Sequence, residues 1–364
     1  MAAALTEKFD NINLLRAFAA LSVVAYHVIE YAHWTRFPGD GPLAVFRIGW
    51  IGVDLFFAIS GFVIVYSALL LYRKAPAAFQ RTYWMRRIAR IVPLYLLTMA
   101  LWVAAFETPG FFQMGVSWCS AQIAAHVFFV HNWFAATHGA IDGVNWTLGV
   151  EMQFYLLVAI LIRWIDRTPG WRIWLWCTLI ACSWRGCMFL LHSGDVSRLF
   201  IGTSQPPGTL DEFGAGIFLA KWVLDGRVKI PAPRVTWPIA AVSTGWIAMT
   251  IFWARADYWI FPAMVLFWHS AFAVFLLCLL AASITLPQVI AFKWLRPLDH
   301  LGEVSYGIYL WHLFAIECVI LAWGYRGIES LVYVMGLTLI ASGLSWRYFE
   351  KPIMALARRR PARA

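Results

Sequence analysis

Charged residues are scarce in this chain of 364 residues, at 13% of the total. A soluble globular domain averages about 25% charged residues, so this scarcity argues against an ordinary soluble domain. Hydrophobic residues make up 62% of the chain and include 22 tryptophans. The composition therefore predicts an all-α protein that crosses a membrane many times.

Several familiar sequence signals are also missing. The six cysteines form no C-x-x-C pair, so we interpret them as small apolar packing residues. A Walker loop, a dinucleotide fingerprint and a metal-ligand spacing are all absent, which argues against nucleotide-binding and metalloenzyme classes and predicts no bound metal. We find no cleavable signal peptide, and therefore expect the first apolar segment to be retained.

Ten apolar segments are long enough to cross a hydrocarbon core of about 30 Å. They predict spans at 12–30, 49–71, 90–106, 146–164, 173–192, 208–224, 236–253, 259–282, 305–323 and 329–347. A further segment at 119–134 is shorter and carries several polar residues. We predict that it forms a re-entrant or interfacial helix.

The distribution of basic residues sets the predicted orientation. Most of the 29 lysines and arginines fall on the side that holds both termini, provided that 119–134 does not cross. Cytoplasmic loops are enriched in Lys and Arg, so both termini are predicted to be cytoplasmic and 107–145 to lie outside. We expect a single integral-membrane domain over 1–364, with a short basic cytoplasmic tail at 353–364. Anionic lipid explains the net charge of +10, so no nucleic-acid partner is expected.

The first span carries Arg16 and His27, two ionisable residues that a lipid-facing helix should not have. A separation of eleven residues is close to three helical turns, so both lie on one face, about 16 Å apart. A lone arginine near a helix end usually reaches the headgroups, and a lone histidine is more often a core residue. The shared face nevertheless favours a functional site or a conduit.

Glu151 is expected to lie near His27, because both fall in the outer half of their predicted spans. A carboxylate beside a histidine suits general-base catalysis. We therefore predict His27 as the base, with Glu151 orienting its ring.

Other charges occur within or beside the predicted spans. Asp54 is predicted to be a paired, buried carboxylate, and Arg185 to pair with a carboxylate or contact substrate. Arg86, Arg87 and Arg90 cluster where the third span enters from the cytoplasm. These three either anchor the helix by the positive-inside rule or bind phosphate through their planar guanidinium groups.

Ser305, Tyr309 and His312 follow each other at i, i+4 and i+7 in the ninth span, and so form one polar helix face. Two interpretations remain open for this face. It makes a hydrogen-bonded contact with another helix, or it forms a wall of the active-site passage.

Six motifs, in order over about residues 9 to 352, resemble the membrane acyltransferase-3 family. They are Arg16-x10-His27, Gly-x-Asp54-x-Phe-Phe-x-x-Ser-Gly, Arg87-x-x-Arg90, Trp146-x-Leu-x-x-Glu151, Phe213-Gly-x-Gly and Ser305-Tyr-x-x-Tyr309-Leu-x-His312. The resemblance implies transfer of an acyl group, usually acetyl from cytoplasmic acyl-CoA, to a hydroxyl. It also implies that Arg16 and His27 are the family's essential pair and that Glu151 belongs to its acidic motif.

The expected enzyme is a bacterial inner-membrane O-acyltransferase that uses acetyl-CoA as donor substrate. Its expected acceptor is a surface or exported polysaccharide or the lipid-linked precursor. A small molecule such as a macrolide is the alternative acceptor, and a transporter is the alternative class, although no internal repeat is visible. Many family members carry an extra SGNH-type domain; here we expect direct delivery or help from separate polysaccharide-synthesis proteins. Neither Ser22 nor Ser60 is expected to have an adjacent base, which favours direct transfer over a covalent intermediate.

Overall fold

The computed structural model describes residues 9–107, 110–228, 235–255, 257–287 and 296–359, and these contain helices but no strand. The α-helices are α1 Asp10–Tyr31, α2 Ile51–Lys74, α3 Phe79–Trp102, α4 Gly110–Gln113, α5 Val116–Val127, α6 Trp146–Arg167, α7 Gly170–His192, α8 Val196–Thr203, α9 Leu210–Leu224, α10 Thr236–Ala254, α11 Pro262–Thr285, α12 Arg296–Glu303, α13 Ser305–Ile316, α14 Ile328–Ser345 and α15 Lys351–Arg359. The predicted basic tail lies in α15 up to residue 359, and 360–364 are outside the described residues.

Nine helical segments in the described ranges are long and apolar enough to cross a membrane. They coincide with nine of the ten predicted spans and confirm an all-α, multi-pass membrane protein. Some of these spans are lengthened by π-helical stretches. Such stretches lie at Val103–Glu107 after α3, at Glu317–Ala322 after α13, and at Trp346–Glu350 between α14 and α15.

The one predicted span not among these nine, the sixth in chain order at 208–224, corresponds to α9. This helix has 15 residues and is about 22 Å long, which is shorter than a hydrocarbon core of about 30 Å. It packs against α2, α7 and α11. The approach to α2 is close enough that a Cβ on Gly61 would overlap the Phe213 carbonyl oxygen, and one on Gly216 would overlap that of Ala58. The glycines thus let α2 and α9 pack closely along one face.

The segment predicted to be re-entrant or interfacial contains α5, whose 12 residues are about 18 Å long and too short to cross. The turn that follows is tied to α6 by the Gln153 side-chain amide, which donates to the Phe129 carbonyl at 2.6 Å and to Asn132 Oδ1 at 2.7 Å. These bonds pack the segment against the start of α6.

The buried apolar side chains form two core regions. One is built mainly from α2, α6, α9 and α11, and the other mainly from α1, α3 and α13. Val53, Phe56, Met152 and Tyr306 are partly buried and pack against both regions. The seam between the two regions is where the polar residues of the candidate site lie.

The two ends of the bundle are distinguished by contacts between helix termini. At the end that we call the Asn13 side, Asn13 donates to Asp299 Oδ1 at 2.8 Å, and the Phe9 and Tyr66 rings pack with centroids 5.3 Å apart. At the opposite end, the Tyr31 side, Arg326 donates to the Tyr31 carbonyl at 3.1 Å.

Candidate active site

A cavity of about 90 Å³ occupies the seam between the two core regions. Helices α1, α2, α3, α6 and α13 all contribute to its wall. Polar groups cost free energy in a membrane interior unless they pair or face a cavity, so their convergence here makes this cavity the candidate active site. The polar lining residues are Arg16, Ser60, Arg87, Arg90, Thr147, Glu151, Tyr155, Ser305, Tyr306 and Tyr309.

Three arginines line this cavity, and Glu151 is the one acidic residue in its described lining. Arg16 donates to Asn13 Oδ1 at 3.3 Å, and Arg87 donates to the Ser67 hydroxyl at 2.7 Å. The Arg87 guanidinium also lies over the Tyr155 ring, 5.6 Å from its centroid. The excess of positive charge makes this part of the cavity suitable for an anionic ligand.

Glu151 is held by two hydroxyl groups. Ser60 Oγ donates to Glu151 Oε1 at 2.8 Å, and the Tyr155 hydroxyl donates to the same oxygen at 2.5 Å. The first bond joins α2 to α6, and the second spans one turn within α6. The carboxylate is therefore fixed in the cavity wall, which it shares with the arginines and with the hydroxyls of Thr147 and Tyr309.

His27 and His312 form a hydrogen-bonded pair, with His27 Nδ1 and His312 Nε2 3.0 Å apart. His312 Nδ1 lies 2.6 Å from the Tyr309 carbonyl oxygen, which can only accept. In the neutral pair, His312 therefore donates from Nδ1 and accepts at Nε2 from His27 Nδ1–H. This tautomer leaves the Nε2 lone pair of His27 available to accept a proton.

Tyr309 connects the histidine pair to the cavity. Its side chain lines the cavity, while its carbonyl oxygen holds His312. The Tyr309 hydroxyl accepts from Thr147 Oγ1 at 2.9 Å and donates to the Val144 carbonyl at 3.1 Å. The His312 ring lies 5.7 Å from the cavity-lining Tyr309 ring, centroid to centroid, and neither histidine is in the described lining.

The loop before α6 is also fixed by buried histidines. The His131 ring stacks on His126 with centroids 4.3 Å apart, and His131 Nε2 donates to the Asn145 carbonyl at 2.9 Å. Burial lowers the pKa of His131 to about 4, so its ring is neutral at physiological pH. These contacts set where α6 begins and thereby position Thr147.

The structure brings most of the predicted site residues together. Arg86 is exposed and lies outside the lining, and its role in binding substrate stays a prediction. His27 and His312 lie outside the described lining and are connected to it through Tyr309. The predicted residues that line the cavity are Arg16, Arg87, Arg90, Glu151, Ser305 and Tyr309.

The expected hydrogen bond between His27 and Glu151 is not among those of the described residues. Glu151 is bound by Ser60 and Tyr155 instead, and His27 by His312. The expectation that Ser60 has no adjacent base is wrong, because the packing of α2 against α6 places Glu151 beside it.

Asp54 and Arg185 lie in a second polar cluster outside the cavity. Arg185 donates to Asp211 Oδ2 at 2.5 Å, which confirms that it pairs with a carboxylate. His269 Nδ1 lies 3.0 Å from Glu212 Oε1 and 3.6 Å from Asp54 Oδ1. These ion pairs join α2, α7, α9 and α11, and the role of Asp54 and Arg185 in substrate binding stays a prediction.

The ligand atoms offered by Asp54, Glu212 and His269 lie within 4.8 Å of one another. Two carboxylates and an imidazole would suit a divalent transition-metal ion. His269 Nδ1 faces one oxygen of each carboxylate, while Asp54 Oδ2 and Glu212 Oε2 have no hydrogen-bond partner among the described residues.

Sequence reasoning missed Ser60, Thr147, Tyr155 and Tyr306 as parts of the cavity wall. Tyr155 follows Glu151 by four residues and so shares its helix face, which was a usable signal. The others depend on contacts between distant helices. For example, the Tyr306 hydroxyl donates to the Ile91 carbonyl at 2.7 Å.

A family model described as an acyltransferase domain matches residues 9–347. The chain belongs to the acyltransferase-3 family. Among relatives of this acyltransferase-3 protein, the O-acetyltransferase OatA of Staphylococcus aureus is 28% identical over 93% of this chain and 56% of the relative. The peptidoglycan O-acetyltransferase OatA of Listeria monocytogenes is 24% identical over 94% of this chain and 55% of the relative.

The putative peptidoglycan O-acetyltransferase YrhL of Bacillus subtilis is 26% identical over 93% of this chain and 54% of the relative. The acyltransferase-3 chain described here thus spans about half the length of the curated relatives it matches. No solved structure matches it significantly.

Proposed function

We propose that this multi-pass membrane acyltransferase moves an acetyl group, or another short acyl group, from cytoplasmic acyl-CoA to a hydroxyl of a surface or exported polysaccharide or its lipid-linked precursor. The observation that carries the proposal is the cavity itself. Three arginines line it, and Tyr309 in its wall contacts a histidine pair whose tautomer leaves one nitrogen free to accept a proton.

The proposed donor site is the arginine end of the cavity. Coenzyme A carries phosphates, and guanidinium groups bind phosphate oxygens through two parallel hydrogen bonds. Arg16, Arg87 and Arg90 would hold these phosphates near the Asn13 side. Because most basic residues fall on that side, the positive-inside rule favours the cytoplasm of a bacterial inner membrane as its location.

The geometry of α1 relates the donor site to the proposed base. Arg16 and His27 lie about 16 Å apart along the helix. An extended pantetheine arm has a comparable length. The phosphates would therefore stay at the arginines while the thioester reaches the histidine pair, so no free acetyl group enters the lipid.

His27 would act as the general base in direct transfer. Its Nε2 takes the proton from the acceptor hydroxyl as that oxygen attacks the thioester carbonyl carbon. The new C–O bond forms, the C–S bond breaks, and the departing thiolate takes the proton back from His27 as free coenzyme A. His312 is the positioning residue, since it fixes the tautomer and accepts from His27 Nδ1–H.

Glu151 has a different proposed role from the one its sequence position suggests. It lies within electrostatic range of Arg16 and is bound by Ser60 and Tyr155. We assign it to balancing the arginine charge and to holding the cavity wall in place for the donor arm.

A saccharide acceptor is supported by the relatives, two of which are named as peptidoglycan O-acetyltransferases, one of them putatively. A separate polysaccharide-synthesis protein could present the acceptor. The experiment is an acceptor screen with purified protein in nanodiscs and radiolabelled acetyl-CoA. Acetylation of glycan fragments supports the proposal, acetylation of a macrolide alone redirects it to small molecules, and no acetyl-CoA use by folded protein contradicts it.

A further inference from the structure

A second cavity, of about 140 Å³, lies on the Tyr31 side of the histidine pair. Its wall includes two aromatic residues, Tyr31 and Trp102, and three carboxyl groups, from Glu107, Asp142 and Glu317. Its described lining contains no basic side chain. The first cavity is lined by three arginines and one glutamate, so its wall carries an excess of positive charge. The two cavities therefore suit ligands of different charge.

Asp142 is the most unusual residue in this wall. It is 1% exposed, and neither carboxyl oxygen has a hydrogen-bond partner among the described residues. Its φ of 52° is in the left-handed region, which aspartate adopts more readily than most residues other than glycine. Burial raises the pKa of Asp142 to about 8, against a smaller lowering by the nearby Val144 amide. A buried carboxyl in a cavity wall without a full hydrogen bond is explained if a ligand supplies its partner.

The second cavity adjoins the proposed base. Tyr309 lines the first cavity and Leu313 lines the second, so about 6 Å of α13 separates them, and His312 lies within that turn. On α1, the Tyr31 ring lies 6.3 Å from the His27 ring, centroid to centroid. The histidine pair therefore stands between the two cavities.

We propose that the second cavity is the acceptor subsite and that it takes an uncharged or amino-bearing sugar in preference to an acidic one. The Asp142 carboxyl would bind adjacent sugar hydroxyls, and Tyr31 and Trp102 would pack against the apolar face of the ring. Glu107 and Glu317 disfavour uronic acids by like-charge repulsion. This inference rests on the proposed function and adds the class of acceptor to it.

The test measures oligosaccharide binding to the full chain in nanodiscs, using chitotriose as the neutral probe and a trigalacturonate as the acidic one. We expect the neutral probe to bind at least tenfold more tightly. Asp142→Asn should weaken its binding at least tenfold. The matched control is Asp40→Asn, which changes an exposed carboxylate in the loop after α1 and should bind like the wild type.

Gly143→Leu keeps the test decisive if Asp142→Asn fails to fold. Gly143 lines the cavity, and a Cβ there meets no atom within 4 Å, so a bulky side chain can be added at the cavity wall without a backbone clash. We expect it to block the neutral probe. Equal binding of the two probes, or wild-type binding by a folded Gly143→Leu protein, would overturn the inference.

The donor reaction is measured separately on the wild type. If the wild type consumes acetyl-CoA but sugar binding is insensitive to these substitutions, the acceptor subsite is wrong and the proposed function stands. If sugar binding follows the expectation while acetyl-CoA is never consumed, the proposed function is wrong and the second cavity remains a sugar site.

Discussion

His27 Nδ1 lies 3.0 Å from His312 Nε2, which joins the first transmembrane helix to the ninth predicted span. Because His312 Nδ1 donates to the Tyr309 carbonyl, His312 Nε2 carries no proton in the neutral pair, and His27 is the donor between the two rings. His27 therefore needs no carboxylate to orient its ring, because the neutral His312 ring accepts the hydrogen bond from His27 Nδ1–H. The pair also lies between an arginine-lined cavity and an acidic one.

Arg16→Lys should lower kcat/KM for acetyl-CoA at least tenfold, mainly through KM. Lysine keeps the charge but lacks the planar group that binds a phosphate through two hydrogen bonds. Arg86→Lys is the comparison, because that side chain is exposed and outside the cavity, and we expect a smaller effect. Full activity of Arg16→Lys in steady-state kinetics would show that Arg16 supplies only charge.

Ser60→Ala tests direct transfer against a covalent intermediate. Loss of a hydrogen bond to a charged group costs about 1.5–3 kcal/mol, so we expect a loss of about ten- to hundredfold in rate. Intact-mass spectrometry of the wild type with acetyl-CoA and no acceptor should show no acetylated protein. An acetyl group on Ser60 in that experiment would mean that the serine is a nucleophile with Glu151 as its base.

The pH dependence of stability should report on Asp142. Its pKa is raised from 3.8 to about 8, so its contribution to stability is full below pH 3.8 and is lost as pH rises towards 8. Asp142→Asn lacks this loss. Thermal unfolding at pH 5 and pH 8 should therefore show a larger fall in Tm for the wild type, and equal falls would contradict the burial of an uncharged carboxyl.

The orientation of the chain can be tested with single cysteines in a cysteine-free background. Thr137 and His138 are buried, so Ala135→Cys is a better position for labelling the 107–145 segment, and Ala77→Cys is its counterpart between α2 and α3. A membrane-impermeant maleimide added to intact spheroplasts should label Ala135→Cys alone. Labelling of Ala77→Cys alone would reverse the assigned topology.

Much of the fold could be predicted from the sequence, because long apolar segments have few alternatives in a bilayer. The short length of α9 could not be predicted, because a helix enclosed by other helices need not match the thickness of the bilayer. Within the site, the arginines and Glu151 stood out as charges in apolar surroundings. The pairing of His27 with His312 could not be predicted from the sequence, because it joins residues 285 positions apart and depends on how α1 packs against α13.

Asp142 was also beyond sequence reasoning. An aspartate in a polar, glycine-containing loop looks like an ordinary turn residue. Only its burial and its missing hydrogen bonds distinguish it.

The central claim is that His27 removes the proton from the acceptor hydroxyl. Its most direct test is the transfer rate of His27→Ala with saturating acetyl-CoA and glycan, compared with His312→Ala and with His33→Ala, which changes an exposed histidine. We expect His27→Ala to lose at least about 10²-fold in kcat, His312→Ala to lose less, and His33→Ala to match the wild type. Wild-type transfer by a folded His27→Ala protein would contradict the account.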